Sequence, residues 1–215
     1  GQERRTLITE GSAETSEEDF ITPEDLVVTM SHTGYIKAQP LTEYRAQKRG
    51  GRGKQATSIK QDDFVESLFT ANTHDFILCF SNLGQVYWLK VYEVPRAGRG
   101  SRGKPIVNLL KLLPHEKVTS ILPIKSFDDD RYVFMATLNG TVKKTPLSDF
   151  SRPRQTGIKA VQLDAGDYLI GSIITDGKQD ILLLSSKGKC VRFNEKDVRS
   201  MGRTARGVRG IRMPQ

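Results

Sequence analysis

Histidine, cysteine and tryptophan are scarce in these 215 residues, at three, two and one. Each scarcity excludes something. Cys79 and Cys190 lie far apart in sequence, so no disulfide framework is indicated, and with His32, His74 and His115 they form no zinc-ligand spacing. A serine nucleophile would lack a histidine at any recurring offset, so catalytic, cofactor-binding and metal sites are all expected to be none. A lone Trp88 excludes a recurring Trp-Asp dipeptide, and Gly50-Gly51 as the single Gly-Gly pair argues against kelch repeats. Purely apolar runs reach about five residues, against roughly 20 needed to cross a bilayer, and no signal peptide is evident. The expectation is a soluble, cytoplasmic protein with no membrane partner.

Evenly spread charge is also missing. The chain carries 33 Lys or Arg against 25 Asp or Glu, a net of +8, yet residues 1–25 hold eight acids and two arginines. Residues 1–24 therefore read as an acidic linker from an upstream domain, with a helical turn near 4–8. In the body, the segments 45–54, 96–104, 152–159 and 199–212 hold five, four, three and five basic residues and no acid. Without them the protein would be acidic. Such concentration marks a polyanion-binding surface, with nucleic acid the first partner to consider.

What is abundant is glycine in register. Gly34, Gly84, Gly140 and Gly188 each follow an apolar run and have the context of a hairpin turn requiring positive φ. Two residues later come Ile36, Val86, Val142 and Cys190, expected to point inward, and both cysteines are expected to fill ordinary packing positions on strands. Nine residues later comes an acid, Glu43, Glu93, Asp149 or Asp197, expected to cap a turn or pair with a nearby arginine. Gly53, Gly103, Gly157 and Gly207 lie 19, 19, 17 and 19 positions beyond the hairpin glycines, so every basic segment has the same place in its unit. A third strand begins at 65, 118 and 170, and the acidic stretch 127–131 is a surface insertion. The fold class is all-β, propeller-like, with blades of about 50 residues over 25–215, the fourth unit incomplete.

The basic segments suit phosphate. Arginine offers a planar fork, lysine a mobile charge, and glycine lets main-chain amides approach. Few aromatics interrupt them, so duplex DNA is favoured over unpaired strands. The DNA-binding residues assigned are Gln47, Lys48, Arg49, Gly50, Gly51, Arg52, Gly53 and Lys54, then Arg99, Arg102 and Lys104, then Arg152, Arg154 and Lys159, then Arg203, Arg206 and Arg209. Nucleotide cradling is disfavoured, because neither a P-loop nor a strand-loop-helix dinucleotide fingerprint is present. A propeller reading peptides on its flat face is the alternative from another class.

Residues 47–54, Gln-Lys-Arg-Gly-Gly-Arg-Gly-Lys, resemble the gyrase A box, departing from its usual form only at Lys48. With the repeat over 26–215, the chain resembles the C-terminal domains of the gyrase A family. That resemblance implies a β-pinwheel whose neighbouring blades exchange strands and around whose basic rim DNA is wrapped. In the family, this wrapping serves the introduction of negative supercoils by a heterotetramer of gyrase A and gyrase B chains. ATP and Mg2+ act in other parts of that holoenzyme, and this domain is not an enzyme on its own. The repeats alone would also fit the related topoisomerase IV protein, which guides DNA for decatenation.

Overall fold

A computed structural model describes residues 16–44 and 63–213. The expected helical turn at 4–8 and the box at 47–54 lie outside the described residues. Regular structure among those described consists of strands and short 3-10 turns. Strands β1 (Asp25–Ser31) and β2 (Tyr35–Pro40) form the first hairpin, β4 (Phe76–Ser81) and β5 (Gln85–Lys90) the second, β8 (Tyr132–Thr137) and β9 (Thr141–Pro146) the third, β12 (Asp180–Leu184) and β13 (Cys190–Asn194) the fourth.

The local chemistry of these turns repeats faithfully. Gly34, Gly84, Gly140 and Gly188 have φ of 84°, 74°, 83° and 77°, the left-handed region that glycine enters without a Cβ penalty. Three residues before each glycine a hydroxyl accepts the main-chain N–H of the residue following it: Ser31 from Tyr35, Ser81 from Gln85, Thr137 from Thr141 and Ser185 from Lys189, at 3.0–3.3 Å. Each hairpin then ends in a 3-10 turn, at Leu41–Glu43, Val91–Glu93, Leu147–Phe150 and Glu195–Asp197. Glu93 caps its turn by accepting the Lys90 N–H at 2.7 Å, as expected of the recurring acid.

The third strands are β3 (Val65–Asn72), β7 (Val118–Ile124) and β11 (Leu169–Thr175), each antiparallel to the first strand of its hairpin. Ser67 and Ser120 sit opposite Met30 and Phe80, each four residues before its hairpin glycine, whereas Ser172 sits one step along, opposite Met135, next to a register shift at Leu169/Gly171. The fourth strand of each sheet is a two-residue piece from further along the chain: β6 (Lys104–Pro105), β10 (Ile158–Lys159) and β14 (Val208–Arg209). The resulting orders are β3-β1-β2-β6, β11-β8-β9-β14 and, written from its other edge, β10-β5-β4-β7, with β12-β13 a two-stranded sheet.

Apolar layers lie between successive sheets. Val28, Met30, Ile36 and Ala38 meet Ile77, Cys79, Tyr87 and Leu89 in the first layer. Leu78, Phe80 and Val86 meet Val133, Met135, Leu147 and Phe150 in the second, and Phe134 and Val142 meet Ile181 and Val198 in the third. The middle sheet is thus covered on both faces, which is why residues 76–80 read as an unbroken apolar run rather than an alternating one.

Cys190 departs from expectation. Cys79 is fully buried, whereas Cys190 is exposed. Its counterparts Ile36, Val86 and Val142 are covered because β6, β10 and β14 lie opposite them. Among the described residues nothing pairs with the outer edge of β13.

Residues 16–25 lie against the first two units. Glu18 bonds Lys90 Nζ at 2.7 Å and faces His74 at 3.3 Å, while Glu24 pairs with Arg96. Among the described residues no helix is long and apolar enough to cross a membrane.

Candidate nucleic-acid interface

Each basic segment among the described residues leaves its own unit and is stitched to the one before it. A turn precedes the recurring glycine near the end of each segment: Ser101 donates to the Gly98 carbonyl, Gly157 to Arg154 and Ala205 to Gly202, at 3.0–3.1 Å. Gly103, Gly157 and Gly207 themselves have φ of 85°, 69° and 106°. The next residue pairs with the same site each time, Lys104 with Ile36, Ile158 with Val86 and Val208 with Val142. The chain then closes on the hairpin glycine of the earlier unit, Ile106 donating to the Gly34 carbonyl, Ala160 to Gly84 and Gly210 to Gly140, at 2.8–2.9 Å.

These glycines serve the protein's own packing. A Cβ on Gly103 would stand 2.2 Å from the Ile36 carbonyl oxygen, one on Gly157 2.6 Å from the Tyr87 ring, and one on Gly207 2.4 Å from the Val142 carbonyl oxygen. The close approach that glycine permits here is to the neighbouring sheet. The glycines earlier in the segments, Gly98, Gly100 and Gly202, have open space around the Cβ position.

The cationic side chains fall into two groups. Arg152, Arg154 and Arg203, from consecutive segments, line one cleft of about 520 Å³ together with Asp149, Ser148, Ser151, Ile158 and Thr204. The same two segments touch directly, Gln162 N–H donating to the Ala205 carbonyl at 3.1 Å and Arg206 pairing with Asp164 at 2.8 Å. Arg152, Arg154, Lys159, Arg206 and Arg209 are exposed and Arg203 is half-buried. Lys159 Nζ donates to the Gln162 side chain at 2.7 Å.

In the earlier segment, Arg99 and Arg102 are turned onto the first sheet. Arg99 lies over the Tyr44 ring and donates to the Glu43 carbonyl, and Arg102 stacks 4.5 Å from the Tyr35 ring centroid. Lys104 is exposed. Lys111 links this unit to the next segment through Gln155 at 3.2 Å. Gln47, Lys48, Arg49, Gly50, Gly51, Arg52, Gly53 and Lys54 lie outside the described residues.

Sequence reasoning overlooked the residues beneath the segments. Lys37 and Lys143, third after Gly34 and Gly140, are each 1% exposed. Lys37 Nζ donates to the carbonyls of Gly98, Arg99 and Ser101 at 3.0, 3.3 and 2.9 Å. Lys143 Nζ donates to the Ala160 carbonyl at 2.7 Å and to that of Arg203. Burial pulls both ammonium groups below the usual lysine value, Lys143 to about 8, with Asp149 opposing the shift and Arg203 adding to it. In the middle sheet the same register holds Tyr87, whose ring lies under Gly157 and whose hydroxyl donates to Glu116 at 2.8 Å. The available signal was the shared offset from the hairpin glycine, which outward-facing strand logic assigns to solvent.

Antiparallel four-stranded sheets packed face to face, each closed by a strand from the next unit, define a strand-exchanged propeller, the β-pinwheel architecture. A sequence model of the DNA gyrase C-terminal domain, beta-propeller, matches residues 25–72, 75–125, 131–176 and 179–215, and the chain belongs to that family. The DNA gyrase A protein of Salmonella typhimurium is 58% identical over 213 residues, 99% of this chain and 24% of that protein. The chain therefore spans about a quarter of the length of the curated relatives it matches. Among solved structures, a C-terminal domain of DNA topoisomerase IV aligns with TM-score 0.77 and 28% identity, covering 91% of this chain and 59% of that one. A DNA gyrase A C-terminal domain aligns with TM-score 0.68 and 27% identity, covering 89% and 62%.

Proposed function

We propose that this chain is the DNA-wrapping part of a gyrase A protein, binding duplex DNA along its basic segments so that the holoenzyme introduces negative supercoils. The observation that carries the reading is the cleft shared by Arg152, Arg154 and Arg203. The three described segments share one backbone register, Lys104, Ile158 and Val208 each pairing with the residue two after a hairpin glycine, which supports reading them as one surface. Arg99, Arg102 and Lys104, then Arg152, Arg154 and Lys159, then Arg203, Arg206 and Arg209 would follow the phosphates, with 47–54 guiding one end of the path.

Magnitudes permit it. Bending 20–30 base pairs through 40–90° costs on the order of 1–6 kcal/mol, and roughly 6–10 phosphate contacts change affinity about a thousand-fold or more between 50 and 200 mM salt. Repeated contacts along a curved edge can offset that cost. The partners in this reading are the remainder of gyrase A and the gyrase B chain, in the cytoplasm, with ATP and Mg2+ used elsewhere in the assembly.

A test uses this chain with nicked circular DNA and ligase, since ligation traps any writhe imposed. A linking-number shift that grows with protein and vanishes at high salt is expected. Salt-dependent binding without a shift would reduce the function to tethering, and salt-insensitive binding would favour a peptide reader. A second reading, a topoisomerase IV domain guiding DNA for decatenation, draws on the TM-score 0.77 likeness. Reconstituted holoenzyme that decatenates but cannot supercoil relaxed DNA would support it.

A further inference from the structure

We propose that Lys37 and Lys143 are positioning residues of the interface, each holding the main chain of a neighbouring unit's basic segment so that its arginines are presented in a preset arrangement. The inference rests on those segments being the DNA-binding elements. It concerns residues that sit under the surface and would not touch DNA.

A buried ammonium is costly unless its donors are satisfied. No described carboxylate forms an ion pair with either lysine. Main-chain carbonyls take that place. Lys37 has three N–H donors and meets three carbonyls of one loop, Gly98, Arg99 and Ser101. Lys143 spans two successive segments, taking Ala160 from one and Arg203 from the next. A single buried charge thereby sets the spacing between the segments whose Arg152, Arg154 and Arg203 share the cleft.

The direction of these bonds matters for an anion outside. Carbonyl oxygens repel phosphate, and the lysines draw five of them inward. Ordering a glycine-rich loop before binding also removes an entropic cost that would otherwise fall on the complex. At the equivalent position the middle sheet has Tyr87 in place of a lysine, and it supports Gly157 by packing. The device therefore acts at the 98–101 loop and at the junction of the last two segments.

The test compares the wild-type chain with Lys37→Met and Lys143→Met by segment-resolved hydrogen exchange and by DNA affinity at fixed salt. K143M should speed exchange in 199–207 but not in 98–104, K37M should do the reverse, and each should weaken DNA binding about tenfold. In double-mutant cycles, the affinity loss from K143M should shrink when Arg203→Ala is already present and add fully to Arg99→Ala. General destabilisation would give neither the local exchange pattern nor that selectivity. Unchanged exchange in 199–207 of folded K143M, or full additivity with R203A, overturns the proposal. If K143M does not fold, Lys143→Gln and K37M test the same claims. A wild-type chain without salt-dependent DNA affinity overturns the underlying reading, whereas the exchange pattern tests the lysine contacts separately.

Discussion

The indole N–H of Trp88 donates to the main-chain carbonyl of Phe150 at 2.8 Å, tying β5 of the middle sheet to the 3-10 turn of the next unit. Lys144 does the same one unit on, reaching the Glu195 carbonyl at 2.8 Å. Both stand fourth after a hairpin glycine. The units are joined by hydrogen bonds to each other's turns as well as by apolar layers.

Trp88→Phe keeps an aromatic ring but leaves the carbonyl of buried Phe150 without this donor. A loss of about 1–3 kcal/mol is expected, the cost of an unsatisfied polar group. Urea unfolding monitored by circular dichroism measures it, and an unchanged midpoint would show that another group takes over the carbonyl.

Gly207→Ala and Gly202→Ala should behave differently although both lie in the last basic segment. At Gly207, φ of 106° and a Cβ 2.4 Å from the Val142 oxygen would force β14 away from β9. About 2–4 kcal/mol of stability should be lost, while Gly202, with open space, should stay within about 0.5 kcal/mol of wild type. Thermal unfolding of the two variants provides the comparison.

Stability should carry a signature of Lys143 at alkaline pH. Its folded value is lowered from 10.5 to about 8 by burial, with Asp149 opposing and Arg203 assisting. Below about 8 both folded and unfolded chains hold the proton. Between there and 10.5 the unfolded chain holds more, so this site's contribution to stability rises with pH. The wild-type minus K143M difference should grow over that window by on the order of 2–3 kcal/mol, and a flat difference would place the Lys143 pKa near its ordinary value.

The two thiols should differ in reactivity. Burial pushes Cys79 up to about 12, and its side chain is fully covered, whereas Cys190 is exposed. A maleimide should label Cys190 in the folded chain and Cys79 only on unfolding, at the rate of global opening. Mass spectrometry of the labelled peptides distinguishes the sites.

Much of this molecule is written locally. Positive φ at Gly34, Gly84, Gly140 and Gly188 is a property of each turn. The offset to Gly103, Gly157 and Gly207 likewise marks where each segment must pass close to another backbone. The repeat, the all-β class and the grouping of arginines therefore follow from residue order.

Tertiary packing decided the rest. That Lys104 meets Ile36 and Val208 meets Val142 depends on which sheet each segment joins, and no spacing within one unit encodes the partner. The same step buries Lys37 and Lys143, turns Arg99 and Arg102 onto tyrosines, and leaves Cys190 uncovered where no such strand lies opposite it. A side chain's environment on a sheet is set by whatever lies over it, and here the covering layer comes from a different unit of the chain.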